Sequence, residues 1–417
     1  MSELDRELAR RLAALGDQGL LRELRRVDTP QAPRLEIGGR TLLNFSSNDY
    51  LGLANEPALK EAAIRAVERF GAGAGASRLI CGSLAPHHEL DETIACFKGA
   101  AAALSFTTGY AAAAGAIGAL LGPDDVIVLD KLVHACIVDA ARLCGAKLRV
   151  FAHNDLNDLE SILQWADTRA GGPKPEDRSS KPRTLIVTES VFSMDGDHAP
   201  LREMVALKER YGAWLMVDEA HGTGLYGANR RGLAEELGVG AGIEIQMGTL
   251  GKAIGAAGGY ICGSRALADY LINRARTFIF STAPVPAAAA AAAAGIRFVQ
   301  SPAGEERRNQ LWQRVAGLTS NPGPQVSQPA PLPSAIIPLM IGEEAKAVEA
   351  AAALRTRGLF VPAIRYPTVA RGKARLRVTV TAAHTQADMA QLLATLKSLD
   401  LGSRIPDSGS QPDAPSR

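Results

Sequence analysis

Between about residues 100 and 265, apolar residues come in short runs, and each run gives way to a stretch with apolar positions at helical spacing. The runs at 102–106, 126–129, 148–151, 185–188, 214–217, 243–247 and 259–262 are read as strands, and their alternation with helices predicts a mostly parallel sheet. Upstream, Leu4, Leu8, Leu12 and Leu15 form a stripe on one helix, and 59–70 reads as an amphipathic helix. Alanine-rich 287–294 predicts a tightly packed helix leading out of this first domain. The alternation then resumes on a smaller scale, with strands at 334–341 and 376–381, a helix near 346–357 and a last helix from about Ala387. Polar 168–183, rich in Pro and Gly, reads as a solvated surface insertion, and 321–334, with its five prolines, as a linker. Residues 403–417 carry few apolar groups and are expected to be disordered.

Length turns this pattern into domains. At 417 residues the chain is long for a single core, and the pattern divides it into an N-terminal helix and arm (1–45), a large domain (46–295), a small α+β domain (296–402) and the tail (403–417). A formal charge of +2, with Lys and Arg spread along the chain, gives no support to nucleic-acid or membrane-surface binding. The charged N-terminus is neither a signal peptide nor a spanning segment, so a cytoplasmic location is the default. Five cysteines without a CxxC pair indicate neither a disulfide framework nor a zinc site, and no metal is expected.

Ligands of such sheets bind outside the carboxyl ends of the strands, and the unusual residues follow the predicted strands. Lys252 comes just after 243–247, among Gly248, Gly251 and Gly255, where a ligand can approach closely and an amine can be desolvated into a usable nucleophile. A surface lysine at a strand end is the plain alternative. Asp218 ends the run 214–217. An acid there is costly unless a cation faces it, and the pyridinium nitrogen of pyridoxal phosphate is such a cation. A magnesium-binding acid would require an upstream Gly-x-x-x-x-Gly-Lys-Ser/Thr loop, which is missing. His221 stands three residues on, able to hydrogen-bond a ring oxygen or an incoming substrate. Thr107-Thr-Gly109-Tyr110 opens a helix after 102–106, where backbone amides can hold a phosphate, although a glycine there is commonly just a turn. His134 and Ser193 follow two further strands; a lone histidine is more often structural. Gly71-Ala-Gly73-Ala-Gly75 looks like a dinucleotide fingerprint but follows a helix instead of a strand, so it is read as a backbone loop lying against the active site.

Six segments then carry a resemblance: Asn44-Phe-Ser-Ser-Asn-Asp-Tyr-Leu-Gly-Leu53, Ala76-Ser-Arg-Leu-Ile-Cys-Gly82, Val191-Phe-Ser-Met-Asp-Gly-Asp197, Val217-Asp-Glu-Ala-His-Gly222, Gly248-Thr-Leu-Gly-Lys-Ala253 and Arg375-Leu-Arg-Val-Thr-Val-Thr-Ala-Ala-His384. Up to about residue 400 the chain resembles the α-oxoamine synthases, fold-type-I pyridoxal-phosphate transferases. The resemblance implies a large domain with a mostly parallel, mixed seven-stranded sheet, a smaller C-terminal α+β domain and a homodimer. It makes Lys252 the imine-forming lysine and Asp218 the partner of the pyridine nitrogen. His134 would stack on the ring, His221 and Ser193 would reach its phenolic oxygen, and Gly109, Tyr110 and Thr249 would hold the phosphate. Arg22 would meet the far carboxylate of the acyl chain, with Thr368, Arg365 and Arg377 near the amino-acid carboxylate.

Within the family the chain looks most like the member that joins L-alanine to pimeloyl-CoA or a pimeloyl-carrier protein in biotin synthesis, with loss of carbon dioxide. Its sister activities are 2-amino-3-ketobutyrate ligase, 5-aminolevulinate synthase and serine palmitoyltransferase. A non-catalytic scaffold subunit would lack the lysine, and a simple transaminase would need no thioester. Ile364-Arg-Tyr366-Pro-Thr-Val-Ala370 departs from the family pattern at Tyr366 and Ala370, which bears on the substrate pocket more than on the reaction type.

Overall fold

The computed structural model describes residues 1–170, 182–319 and 332–399. The expected insertion, linker and tail lie wholly or largely outside them. The chain divides into two compact units, one of Asn48–Gln310 and one of Met1–Ser47 with Leu311–Arg417.

The larger unit is built on a seven-stranded sheet in the order Ala102–Phe106, Gly259–Gly263, Ile245–Thr249, Trp214–Asp218, Thr184–Glu189, Val126–Asp130, Lys147–Phe151. Gly259–Gly263 runs antiparallel to both neighbours and the remaining pairs are parallel. The inner strands and the edge strand Ala102–Phe106 are buried along almost their whole length, which is why they read as unbroken apolar runs; Lys147–Phe151, at the other edge, is buried only at Phe151. Helices Gly109–Leu120 and Ala135–Leu143 cover one face, contributing Ala112, Ala113, Ala116, Ile117 and Ile137 to the main core. Six of the seven strands fall within a residue of where the sequence places them; the sixth in chain order is displaced, running 245–249 instead of 243–247. Glu244 belongs to the turn: its carboxylate takes the Leu215 amide (2.8 Å) and Lys208 Nζ (2.6 Å), and the ladder runs on through Gly248 and Thr249 opposite Tyr260 and Gly259.

The alanine-rich segment forms helix Pro286–Gln300, packed on Pro57–Phe70 and Ala85–Lys98. A Cβ at Gly295 would fall 2.3 Å from the Ile254 carbonyl oxygen, so the glycine lets this helix approach the loop that carries Lys252. These contacts place the helix and the residues to Gln310 in the larger unit, past the 295/296 boundary drawn from the sequence.

In the smaller unit, Ile336–Gly342, Ala374–Thr379 and Ala363–Ile364 make one antiparallel sheet, and Arg34–Ile37, Arg40–Asn44 and Leu359–Phe360 make a mixed one, in which Leu359–Phe360 runs parallel to Arg40–Asn44. Helices Glu344–Thr356 and Gln386–Ser398 complete it. The N-terminal residues join this unit instead of standing apart as an arm. His384 is buried, stacked on Phe45 at 4.3 Å, and its Nε2 lies 2.9 Å from the Asn44 carbonyl oxygen. The leucine stripe does form a helix, Glu3–Asp17, held by a reciprocal cap between Ser2 and Asp5, but Leu4, Leu8, Leu12 and Leu15 are all exposed.

Candidate active site

Six strands share a direction, 102–106, 126–130, 147–151, 184–189, 214–218 and 245–249, so Gly109, His134, His153, Ser193, His221 and Lys252 all follow carboxyl ends on the same side of the sheet. The seventh, Gly259–Gly263, begins there. The Lys252 loop is tight, with Leu250 N–H donating to Gly258 O (2.9 Å), Ala256 N–H to Leu250 O (2.9 Å) and Gly255 N–H to Lys252 O (2.9 Å). Gly255 has φ +73°, and a Cβ on it would meet the Leu53 carbonyl carbon at 2.5 Å, so only glycine fits. Lys252 Nζ lies 2.7 Å from His221 Nε2, and His221 Nδ1 lies 2.5 Å from the hydroxyl of buried Tyr50.

Asp218 is buried and takes the Ala220 amide at 2.8 Å. Burial pushes its proton affinity up, while Lys252, and more weakly His134, pull it down. Its neighbour Glu219 is a structural pin: it accepts from Ser190 Oγ (2.7 Å) and from the amides of Leu233 (3.1 Å) and Ala234 (2.8 Å), fastening the loop that carries His221. Glu189, paired with Asp218 across the ladder, is pushed up to about 8 by burial and then by Asp218. Its Oε1 is buried without a hydrogen-bond partner among the described residues.

His134 caps helix Ala135–Leu143: its Nδ1 accepts the Cys136 amide (3.2 Å) and lies 3.0 Å from Cys136 Sγ. Burial lowers its pKa, with Asp218 opposing and Lys252 assisting, so the ring is neutral and carries its proton on Nε2. Cys136, its thiol pushed up to about 12 by burial, is an inert neighbour. His153 ties two of these loops together. Nδ1 lies 2.9 Å from Asp130 Oδ1, ahead of His134, and Nε2 lies 2.7 Å from Asp197 Oδ2, beyond Ser193. Burial opposes charge on this imidazole, but the two carboxylates raise its pKa to about 10.

Thr108 caps helix Gly109–Leu120 by accepting the Ala111 amide (3.0 Å), and the first amides of the helix have no acceptor within it. Gly109 faces Thr249: a Cβ there would lie 3.6 Å from Thr249 Cβ. Thr249 Oγ1 donates to Gly258 O (2.9 Å) and accepts the Gly251 amide (3.2 Å). Tyr110 is half exposed, its hydroxyl on Asp139 (2.7 Å); Ser193 is buried in the turn between Val191 and His198.

Lys252 and His221 are thus in contact, Asp218 and His134 are close enough for their charges to act on one another, and Gly109 adjoins Thr249. Arg22, Arg365, Thr368 and Arg377 lie in the smaller unit. Arg377 is buried with Nη1 on Thr379 Oγ1 (2.8 Å), and Arg365 donates to the carbonyls of Gly19 and Leu21 (2.9 Å to Leu21). Arg22 and Thr368 are exposed. In the Gly71–Gly75 loop the three glycines are exposed, and a Cβ on any of them would meet nothing within 4 Å in this chain. Tyr50, Glu189, Glu219 and His153 were missed. Glu189 was within reach, since it too is an acid closing an apolar run.

The donor set fits pyridoxal phosphate: an amine for the aldehyde, a buried carboxylate for a cationic ring nitrogen, a neutral planar imidazole, and a helix start beside a hydroxyl for the phosphate. Comparison with known proteins agrees. Residues 40–396 match the family described as aminotransferase class I and II. The chain is 46% identical over 385 residues to the 8-amino-7-oxononanoate synthase of Anaeromyxobacter dehalogenans, covering 92% of this chain and 93% of that one. Serine palmitoyltransferase from S. paucimobilis, solved with PLP bound, has a TM-score of 0.85 at 29% identity, covering 95% and 98% of the two chains. For 8-amino-7-oxononanoate synthase from Francisella tularensis the TM-score is 0.69 at 26% identity, covering 86% and 97%.

Proposed function

The chain belongs to the class I and II aminotransferase family and, within it, to the 8-amino-7-oxononanoate synthases, and from that premise we propose that it condenses L-alanine with a pimeloyl thioester, releasing carbon dioxide and free thiol, in biotin synthesis. The observation that carries this is that Asp218 ends one strand and Lys252 follows the next, so that the amine is close enough to act electrostatically on the buried acid.

Pyridoxal phosphate, when bound, supplies an aldehyde for imine formation and a ring that accepts the electron pair left at the amino-acid α-carbon. Lys252 Nζ would hold the aldehyde carbon and, once displaced by alanine, would take the α-proton. Asp218 would keep the ring nitrogen protonated; its buried position is costly until a cation faces it. Neutral His134 would stack on the ring without adding charge. His221 and Ser193 would bond the ring oxygen, and the Gly109 and Tyr110 amides with Thr249 Oγ1 would hold the phosphate at the helix start. Arg22 would meet the distal pimeloyl carboxylate, and Arg365, Thr368 and Arg377 the alanine carboxylate.

The same reading makes the protein a cytoplasmic homodimer. Exposed Ile80, Leu143 and Phe280, together with the leucine stripe of Glu3–Asp17, are apolar surface that a second copy would cover. Among the described residues no helix is long and apolar enough to cross a membrane.

Serine palmitoyltransferase activity is the nearest competing assignment, favoured by the TM-score of 0.85; sequence identity of 46% against 29% favours the pimeloyl reaction. A thiol-release assay crossing alanine, glycine and serine with pimeloyl, acetyl, succinyl and palmitoyl thioesters decides between them. Alanine with pimeloyl-CoA or pimeloyl-carrier protein is the expected productive pair, and turnover of serine with palmitoyl-CoA alone would overturn the assignment.

A further inference from the structure

Lys252, His221 and Tyr50 form a chain of two short contacts inside the larger unit. His221 is engaged through both ring nitrogens, Nε2 at 2.7 Å from Lys252 Nζ and Nδ1 at 2.5 Å from the Tyr50 hydroxyl. Tyr50 is 1% exposed, and its hydroxyl also lies 3.4 Å from Asn48 Oδ1, near the outer limit of a hydrogen bond. A neutral imidazole has one N–H, and the group facing one nitrogen decides whether the other carries it. A phenol is a stronger acid than an imidazole N–H, and of the two acceptors open to the Tyr50 hydroxyl Nδ1 is much the nearer, at 2.5 Å against 3.4 Å for Asn48 Oδ1, so the Tyr50 proton is donated to Nδ1. The imidazole proton then sits on Nε2, aimed at Lys252. An ammonium has no lone pair to receive it, so the 2.7 Å contact calls for a neutral amine.

We propose that Tyr50 is a positioning residue: by donating to Nδ1 it fixes His221 as the Nε2–H tautomer, which holds Lys252 as the free amine before the cofactor arrives and is already set to donate to the cofactor's ring oxygen afterwards. The second half rests on the assignment of Lys252 and His221 above. Asp218, Glu189 and His134 also act electrostatically on or through Lys252, and Glu219 lies on the His221 loop; removing the Tyr50 hydroxyl alters none of these groups.

Two measurements test this. The first is ¹⁵N NMR of the cofactor-free, histidine-labelled protein, with His221 picked out of the seven histidines by its absence in H221N. The parent should show His221 with the proton on Nε2 and Nδ1 bare; a proton on Nδ1 would overturn the proposal. This arm needs no variant at Tyr50 and does not depend on the enzyme's activity. The second follows the near-visible band as pyridoxal phosphate is added over a range of pH. In Y50F, checked for folding by circular dichroism, His221 becomes free to place its proton on Nδ1 and to accept from an ammonium. The rate of band formation at pH 7.5 should fall about tenfold and its midpoint rise by about one pH unit, a tenfold change in free amine per unit. In an H221N background, which has no tautomer to fix, Y50F should move neither quantity. An unchanged Y50F midpoint, or an equal shift in both backgrounds, would overturn the proposal. A parent protein forming no band at all would instead defeat the cofactor assignment, leaving the NMR arm to decide the tautomer.

Discussion

Glu189 and Asp218 are paired residues at the carboxyl ends of adjacent parallel strands, and both side chains are almost wholly buried. Two carboxylates so placed cannot both ionise cheaply. Burial raises the proton affinity of each, a charge on Lys252 would lower it, and Glu189, at about 8, holds its proton at neutral pH. The site is thus an acidic pair prepared for one more positive charge, as the ring nitrogen would supply.

That pairing gives the cofactor-free protein a distinctive pH dependence. Glu189 is raised from 4.5 to about 8 in the folded state, so folding favours its protonated form. Its destabilising contribution is absent below pH 4.5, grows as pH rises above 4.5 and levels off above about 8. E189Q, which keeps the shape without the charge, should therefore melt at nearly the parent's temperature at pH 5 and above it at pH 8.5. Equal melting temperatures at both pH values, read by differential scanning fluorimetry, would show that Glu189 is not held protonated.

The reverse sign applies to His153. Its folded pKa of about 10 lies above the ordinary 6.5, so the stability from its bridge between Asp130 and Asp197 is fully present below pH 6.5 and lost as pH rises through 10. H153A, which leaves buried Asp130 and partly exposed Asp197 without their cation, should lose about 2 kcal/mol in urea unfolding at pH 6 and noticeably less at pH 10.5. A deficit that stays constant with pH would mean that packing of the ring against Phe192, at 4.4 Å, is what the variant removes.

Lys252 and Asp218 part company in their spectra. K252A should form no borohydride-sensitive near-visible band with pyridoxal phosphate. D218N should form one, yet turn over at least a hundredfold more slowly, since an amide cannot hold the ring nitrogen protonated; losses of about 10²-fold are usual when a preorganised charge partner is removed. A D218N enzyme with the parent's rate would separate Asp218 from the ring.

What the sequence makes legible is whatever one stretch of chain settles by itself. The inner strands are covered on both faces, so each is an apolar run, and Asp218 stands out because a charge closes such a run. Glu244 shifts one strand by two residues because its partners, Lys208 and Leu215, lie far back in the chain. The same distance hides His153, whose carboxylates stand 23 and 44 residues away, and Tyr50, which sits in a loop without periodicity and meets His221 from 171 residues off. Leu4 to Leu15 show the converse: spacing fixes the helix but says nothing of what covers it.

Arg365 supplies a last discrimination, between contacting substrate and placing a residue that does. Its guanidinium donates to the carbonyls of Gly19 and Leu21, which brackets the turn leading into Arg22. If this is its main task, R365A loosens Arg22 and raises KM for the pimeloyl thioester about tenfold, an effect of the size expected for one charge-assisted contact, with KM for alanine nearly unchanged. If it meets the alanine carboxylate, as the family resemblance implies, KM for alanine rises instead. R22A is the reference: its effect should fall on the thioester alone, and R365A combined with R22A should add little to R22A in the first case and act independently in the second, because only residues working through one contact fail to add. Steady-state kinetics with both substrates varied reads the difference directly.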